Sequence, residues 1–212
     1  MGFFMKQYIF YSQNKPLNCY MWNDVQRPIG VVQIIRDEYE KISQYDKLAQ
    51  FLNANGYIVF GKYQDNKNNN LDKFEEIEIF KFLNQKFYLP VFLLTNHTKA
   101  QTAKNIINTF PKCGGACVIQ NRNSMMEKII GLFRNKFHNE MEICKKSPIL
   151  IIDETEKLPL INNELIHNLE VNYKHNHLHN LDIVLYQTNA TNDDHEHIKN
   201  DVLKFFNRAK FK

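Results

Sequence analysis

The chain has 212 residues, enough for one domain with a hydrophobic core and too few for two ordinary domains. Hydrophobic residues make up 43% and charged residues 24%, a composition that excludes a disordered chain. The net charge of +4 is scattered along the sequence instead of forming a basic stripe, so no nucleic-acid partner is predicted.

Short apolar runs alternate with amphipathic stretches along most of the chain. In chain order the pattern predicts strands at 6–11, 17–22 and 29–35, a helix at 43–55, a strand at 57–60, a helix at 71–87, a strand at 89–94, a helix at 98–110, a strand at 116–119, a helix at 125–143, a strand at 149–152, a helix at 158–173, a strand at 183–186 and a helix at 195–207. The first two strands flank a polar break at Asn14, Lys15 and Pro16, and this arrangement predicts an antiparallel hairpin.

This alternation predicts the fold class. Short apolar strands between amphipathic helices are typical of a parallel sheet with helices on both faces. The sequence therefore predicts an α/β three-layer sandwich with a mostly parallel sheet and an N-terminal antiparallel hairpin. Residues 1–212 are predicted to form a single domain.

The four cysteines indicate the compartment. They are Cys19, Cys113, Cys117 and Cys144, and no two of them form a C-x-x-C pair. Four cysteines at these positions are too few for a disulfide framework, so we predict a reduced, cytoplasmic protein. The first residues lack the apolar stretch of a signal peptide, and no run is long enough to predict a membrane span. Cys113 and Cys117 are interpreted as core residues, and the Gly114-Gly115 pair between them as a helix stop.

Several apolar segments have the sequence and spacing of the strands of one enzyme family. They are residues 28–35 (PIGVVQII), 89–94 (LPVFLL), 148–152 (PILII) and 182–186 (DIVLY). In combination they resemble the α/β-hydrolase superfamily, and within it the bacterial lysophospholipases and monoacylglycerol lipases of the serine aminopeptidase type. The resemblance implies an α/β-hydrolase fold and an ester-cleaving site. That family also inserts a helical lid, for which only residues 123–147 are left here, so the lid is predicted to be largely missing.

The family's nucleophile and oxyanion motifs are degenerate in this sequence. The pattern Gly-His-Ser-x-Gly is replaced by residues 95–99 (TNHTK), which put His97 in the serine position and remove both glycines. Glycine is scarce throughout, at 7 of 212 residues, about 3% against a usual 7%. The oxyanion turn, His-Gly in the family, is Arg36-Asp37 here. Asp37 would oppose a developing negative charge, and the two side chains are interpreted as a surface ion pair.

The remaining catalytic positions also differ from the family. The resemblance puts the acid at Glu156 or Lys157, depending on a one-residue shift, and the base at Thr191 or His195. The Asp-His-x-Gly-His-Gly segment that follows the fourth strand in the family is KYQDNK at 62–67 and keeps none of its key residues. Catalytic groups act as a unit, so losing the nucleophile alone removes most of the rate.

These losses predict a catalytically inactive lysophospholipase-like protein that binds a lipid or acyl ligand or a protein partner. The alternative is an active carboxylic-ester hydrolase on lysophospholipids, monoacylglycerols or small esters. Its site would use Thr98, Ser124 or a cysteine, together with His97 or His195. No cofactor is predicted, and the oligomeric state is left open.

One further pattern bears on metal binding. His175, His177 and His179 alternate before a predicted strand, a spacing that places three imidazoles on one face of an extended segment. The surrounding asparagines favour a solvated loop, so no metal site is predicted.

Overall fold

Eight strands and four helices make up the part of the chain that the structure, a computed structural model, describes. That part comprises residues 5–37, 39–63, 72–121, 147–155, 181–187 and 194–210. The strands are β1 Met5–Ser12, β2 Lys15–Trp22, β3 Gly30–Ile35, β4 Tyr57–Lys62, β5 Val91–Asn96, β6 Cys113–Asn121, β7 Ile149–Thr155 and β8 Leu181–Gln187. The helices are α1 Asp46–Ala54, α2 Asp72–Phe87, α3 Ala100–Thr109 and α4 Asp194–Ala209, with short 3-10 helices at Ile42–Tyr45 and His97–Lys99.

The strands form one sheet in the order β1-β2-β4-β3-β5-β6-β7-β8. β2 is antiparallel to both of its neighbours, β1 and β4, and all other neighbouring strands are parallel. The predicted mostly parallel sheet with an N-terminal antiparallel hairpin is therefore confirmed.

Hydrophobic clusters cover both faces of the sheet. Alternate residues of each strand point to opposite faces, so Val31 and Ile35 pack against α2 and α3, while Val32 and Ile34 pack against α1 and α4. The inward residues predicted for the last helix are all buried, namely Ile198, Val202, Phe205 and Phe206. Helices on both faces make the sheet the middle of three layers, as the alternating sequence pattern predicts.

The hairpin turn lies one residue earlier than predicted. Gln13 and Asn14 form the turn with positive φ values of 47° and 65°, while Lys15 and Pro16 already belong to β2. Two left-handed residues in succession are typical of the turn that joins tightly twisted antiparallel strands.

The prediction for Gly114-Gly115 is wrong. Helix α3 ends at Thr109, and both glycines lie inside β6. A Cβ atom at Gly114 would stand 2.7 Å from Cε1 of Phe92, and Gly115 adopts φ +149° where a Cβ would stand 2.8 Å from the carbonyl oxygen of Pro148. The pair therefore allows β6 to pass close to a buried ring and a neighbouring main chain.

Several predicted elements lie outside the described residues. They are the helices at 125–143 and 158–173 and, apart from Ser147, the predicted lid remnant at 123–147. Ser147 is buried and donates a hydrogen bond from its hydroxyl to the carbonyl oxygen of Cys113 at 3.0 Å.

Candidate active site

The candidate site lies at the carboxyl edge of the parallel strands. β3 runs between β4 and β5, and all three point the same way, so the chain leaves them at one edge of the sheet. Arg36 and Asp37 follow β3, Lys62 ends β4, and His97 follows β5. The structure thus brings the predicted oxyanion and nucleophile positions to the same edge. Their catalytic meaning stays a prediction.

Arg36 is a buried residue that organises the loop after β3. Its Nε donates to the carbonyl oxygen of Lys62 at 2.8 Å, and its Nη1 donates to the carbonyl oxygens of Asp37, at 3.0 Å, and of Glu40. Only 7% of the residue is exposed. The interpretation as half of a surface ion pair is therefore wrong, because the guanidinium is used inside the protein to satisfy main-chain acceptors.

Carboxylates occupy main-chain donors of the same loop. Glu40 Oε2 accepts from the Asp37 N–H at 3.1 Å and from the Tyr45 hydroxyl at 2.8 Å, and Asp37 Oδ1 accepts from the Tyr39 N–H at 3.1 Å. Burial, followed by the charge of Glu40, raises the pKa of the Tyr45 phenol, which keeps it a donor. An oxyanion site needs free N–H groups. The N–H groups of Asp37 and Tyr39 already donate to the carboxylates of Glu40 and Asp37.

Asp37 and Thr98 join the two loops across the site. The Thr98 hydroxyl lies within hydrogen-bonding distance of Asp37 Oδ2 and 2.7 Å from Asn96 Oδ1, and it has one proton to share between these acceptors. Asn96 Oδ1 also accepts from the Lys99 N–H at 3.2 Å, as a side chain does at the start of a helix. The arrangement pairs a hydroxyl with a carboxylate at the predicted nucleophile turn.

His97 begins the 3-10 helix His97–Lys99, which follows β5 directly and leads into α3. A serine hydrolase presents its nucleophile on a sharp, strained turn between strand and helix. A 3-10 helix has an ordinary backbone with negative φ values. The position of His97 along the chain is thus that of the predicted nucleophile, whereas the local backbone is that of a regular helix start.

The other predicted catalytic positions are only partly covered. Glu156, Lys157 and Thr191 lie outside the described residues. His195 lies in the first turn of α4. Ser124 and the histidines at 175, 177 and 179 also lie outside the described residues.

The three described cysteines are poor nucleophiles. Cys19, Cys113 and Cys117 are buried. Burial raises the pKa of the Cys113 thiol to about 12, and its Sγ lies 3.6 Å from the Val91 carbonyl oxygen. Burial, followed by the charge of Glu76, raises the pKa of Cys19 to about 12 as well. Burial likewise raises the pKa of Cys117. The thiolate is the reactive form, so these thiols are inert near neutral pH, and the prediction of Cys113 and Cys117 as core residues is confirmed.

Alkylation with iodoacetamide at pH 8 tests this inertness. A pKa of about 12 instead of the ordinary 9.0 lowers the thiolate fraction on the order of a thousandfold. Cys19 and Cys113 should therefore label far more slowly in the native protein than in urea, as measured by peptide mass spectrometry. Equal rates in the two states would contradict their burial.

A buried charged cluster was missed by sequence reasoning. Lys62 Nζ lies 2.8 Å from Glu75 Oε2 and 3.6 Å from Glu76 Oε1, and Gln33 Nε2 donates to Glu76 Oε2 at 2.7 Å. The signal was present, because Gln33 and Lys62 are polar residues in otherwise apolar strand runs. Glu76 also shares one helical face with Phe80 and Leu83, at spacings of four and seven residues.

A groove of about 560 Å³ opens at the opposite edge of the sheet. Its lining includes Tyr88, Leu89 and Pro90 before β5, Pro111 and Lys112 before β6, and Lys210 after α4. It is therefore not the acyl groove of the predicted site, which would open at the carboxyl edge.

Neither a metal-binding cluster nor a membrane-spanning helix occurs among the described residues. No group of three or more histidine, cysteine, aspartate or glutamate side chains in this part of the chain is placed to hold a metal ion. None of the helices within the same residues is both long and apolar enough to cross a membrane.

No protein-family model matches the chain, and no curated protein matches it either.

Comparison with solved structures identifies the fold. The chain is similar to a thermostable carboxyl esterase from Bacillus coagulans, with TM-score 0.66, 12% identity and coverage of 97% of this chain and 98% of the esterase. It is also similar to a monoglyceride lipase from Saccharomyces cerevisiae, with TM-score 0.68, 10% identity and coverage of 97% and 96%. A monoacylglycerol lipase from Paleococcus ferrophilus gives TM-score 0.59, 12% identity and coverage of 91% and 99%. At these identities the likeness shows the fold alone, which is that of the α/β-hydrolases.

Proposed function

We propose that this chain is a lysophospholipase-like and monoacylglycerol lipase-like α/β-hydrolase homologue that does not hydrolyse esters and serves as a binding or interaction protein. The observation that carries the proposal is the Asp37–Thr98 hydrogen bond between the loops after β3 and β5. It supports the proposal because it sets a carboxylate at the edge where ester hydrolysis generates a negative oxygen.

Electrostatics explains why this carboxylate opposes the reaction. Acyl transfer needs hydrogen-bond donors around the developing oxyanion, and removing one such donor costs about 10²–10³ in rate. Asp37 contributes an acceptor instead, and Glu40 takes up the Asp37 N–H. The guanidinium of Arg36 donates to the main-chain carbonyl oxygens of Lys62, Asp37 and Glu40, so these bonds hold the loop and do not form an oxyanion site.

A short-chain nitrophenyl ester and a fluorophosphonate probe test the proposal. We expect no turnover above that of the heat-denatured protein and no covalent labelling, since a serine or threonine nucleophile would need both a base and an oxyanion site. An active esterase of the same fold serves as the positive control. Turnover or labelling that disappears in His97→Ala would contradict the proposal.

A second candidate function is carboxylic-ester hydrolysis with Thr98 as nucleophile. The same Asp37–Thr98 hydrogen bond favours it, because a carboxylate bonded to a hydroxyl is in position to accept its proton. In that case Thr98→Val and Asp37→Asn would each abolish labelling, and Thr98→Ser would retain it. If the wild-type protein neither hydrolyses the nitrophenyl ester nor is labelled by the fluorophosphonate, this candidate is excluded for the class of ester tested.

The ligand that we propose for the non-hydrolytic protein is a lipid or acyl chain. The support is the resemblance to lysophospholipases together with the shortened lid that it implies. Titration calorimetry with oleate below its micelle concentration tests this part separately. Saturable binding of oleate is expected. If no binding is measured, the proposed ligand is a protein partner instead of a lipid or acyl chain.

A further inference from the structure

The free edge of β1 shows an unusual coincidence of exposed backbone and exposed apolar side chains. In the described part of the chain β1 is the first strand of the sheet and pairs with β2 alone. The two strands are joined by the two-residue turn Gln13–Asn14, so Ser12 and Lys15 face each other directly at its base.

The turn fixes which backbone groups point outward. In a hairpin closed by two residues the pair flanking the turn exchanges both hydrogen bonds, and bonded pairs then recur at every second residue. The N–H and C=O groups of Ser12, Phe10 and Tyr8 therefore point towards β2. Those of Tyr11, Ile9 and Gln7 point to the free edge.

The residues whose backbone groups point to the free edge also have side chains that are exposed to solvent. Tyr11 is 66% exposed and Ile9 55%, and Gln7 and Met5 are exposed as well. The alternate residues Phe10 and Ser12 are buried on the side of α2.

Within the residues that the structure describes, the edge of β1 has none of the usual protection against pairing. Edge strands are normally blunted by proline, a bulge or a charged side chain. β1 contains no proline, its register with β2 is continuous over all eight residues, and its one charge, Lys6, belongs to the alternate set. Met5, Gln7, Ile9 and Tyr11 are uncharged.

We propose that a second copy of this chain pairs antiparallel along β1, extending the sheet through a two-fold axis. The strand is self-complementary, because placing Ile9 opposite the Ile9 of the second copy sets Gln7 opposite Tyr11 without opposing like charges. A lipid surface would leave the outward N–H and C=O groups without partners, whereas a strand satisfies them. One strand pair buries less than the ~1,200–2,000 Å² of stable complexes, so the dimer is weak.

Sedimentation velocity over a range of micromolar concentrations tests the dimer. The wild-type chain should pass from monomer to dimer as concentration rises. Ile9→Lys should weaken association by about tenfold or more, because it opposes two ammonium groups across the axis. Phe74→Lys makes a comparable change at a residue of α2 that is 64% exposed, and it should behave like the wild type.

Residue-resolved hydrogen exchange on the wild-type protein tests the geometry without any variant. The amides of Gln7, Ile9 and Tyr11 should exchange more slowly as concentration rises, while those of Tyr8 and Phe10 stay protected throughout. The proposal is overturned if the wild type remains monomeric, if both lysine variants associate equally, or if the outward amides are unaffected. Binding of a monomeric chain to phosphatidylcholine vesicles, lost in Ile9→Lys, would also overturn it.

Discussion

Replacing Lys62 with methionine is expected to lower the free energy of unfolding by about 3–5 kcal/mol at neutral pH. Only 7% of the Lys62 side chain is exposed, and its ammonium lies 2.8 Å from Glu75 Oε2 and 3.6 Å from Glu76 Oε1. The Glu76 side chain is 4% exposed. Methionine fills the space but leaves the carboxylates without this cation, and an uncompensated buried charge is far more costly than a lost surface pair.

Urea denaturation measures the loss, and two further variants identify its cause. Lys204→Met removes a lysine that is 78% exposed and 3.6 Å from Asp201, so it should cost about 0.5 kcal/mol or less. The double variant Lys62→Met with Glu76→Gln should be more stable than the sum of the single losses predicts, since one buried charge is removed with its partner. If Lys62→Met lowered the free energy of unfolding by no more than Lys204→Met does, the ion pairs of Lys62 would contribute no more to stability than an exposed pair.

The strands and the final helix could be predicted because their patterns are simple. A parallel strand covered on both faces is a continuous apolar run, and the runs predicted at 29–35, 89–94 and 149–152 overlap the strands Gly30–Ile35, Val91–Asn96 and Ile149–Thr155. The last helix repeats large apolar residues at helical spacing, so its inward face followed from the period. Gly114-Gly115 was misassigned because glycine marks helix ends and close strand packing alike.

The polar residues in the apolar strands indicated a polar interior, but their partners could not be predicted from the sequence. Arginine, lysine and glutamate are almost never fully buried unless paired, and the partners here are far apart in sequence. Arg36 bonds to the carbonyl oxygen of Lys62, 26 residues away, and Gln33 bonds to Glu76 at a separation of 43. No local pattern contains such pairings, because they arise only when the strands pack against one another and against α2.

Only part of the candidate site could be predicted from the sequence. The position of His97 followed from recognising the strand before it, since β5 ends at Asn96. The bond between Thr98 and Asp37 joins residues 61 apart. Sequence spacing indicates that Thr98 stands one position late for the family's nucleophile, but it does not reveal the carboxylate beside it.

Arg36→Met is expected to lower the free energy of unfolding by about 3 kcal/mol, because hydrogen bonds to charged groups contribute about 1.5–3 kcal/mol each and buried acceptors left unpaired are costly. The guanidinium supplies three bonds to carbonyl oxygens, on Lys62, Asp37 and Glu40. Arg36→Lys keeps the charge but lacks the planar fork, so it should recover only part of the loss. Chemical denaturation of the three proteins measures the order of stability.

Arg27→Met is the matched control, because Arg27 is exposed in the loop before β3 and a surface substitution of this kind changes stability by about 0.5 kcal/mol or less. Hydrogen exchange adds a local readout. In Arg36→Met the Asp37 and Tyr39 amides, which donate to Glu40 and Asp37, should exchange faster than in the wild type. If Arg36→Met were as stable as Arg27→Met and these amides stayed protected, the loop that blocks the predicted oxyanion site would be held by something other than the buried guanidinium.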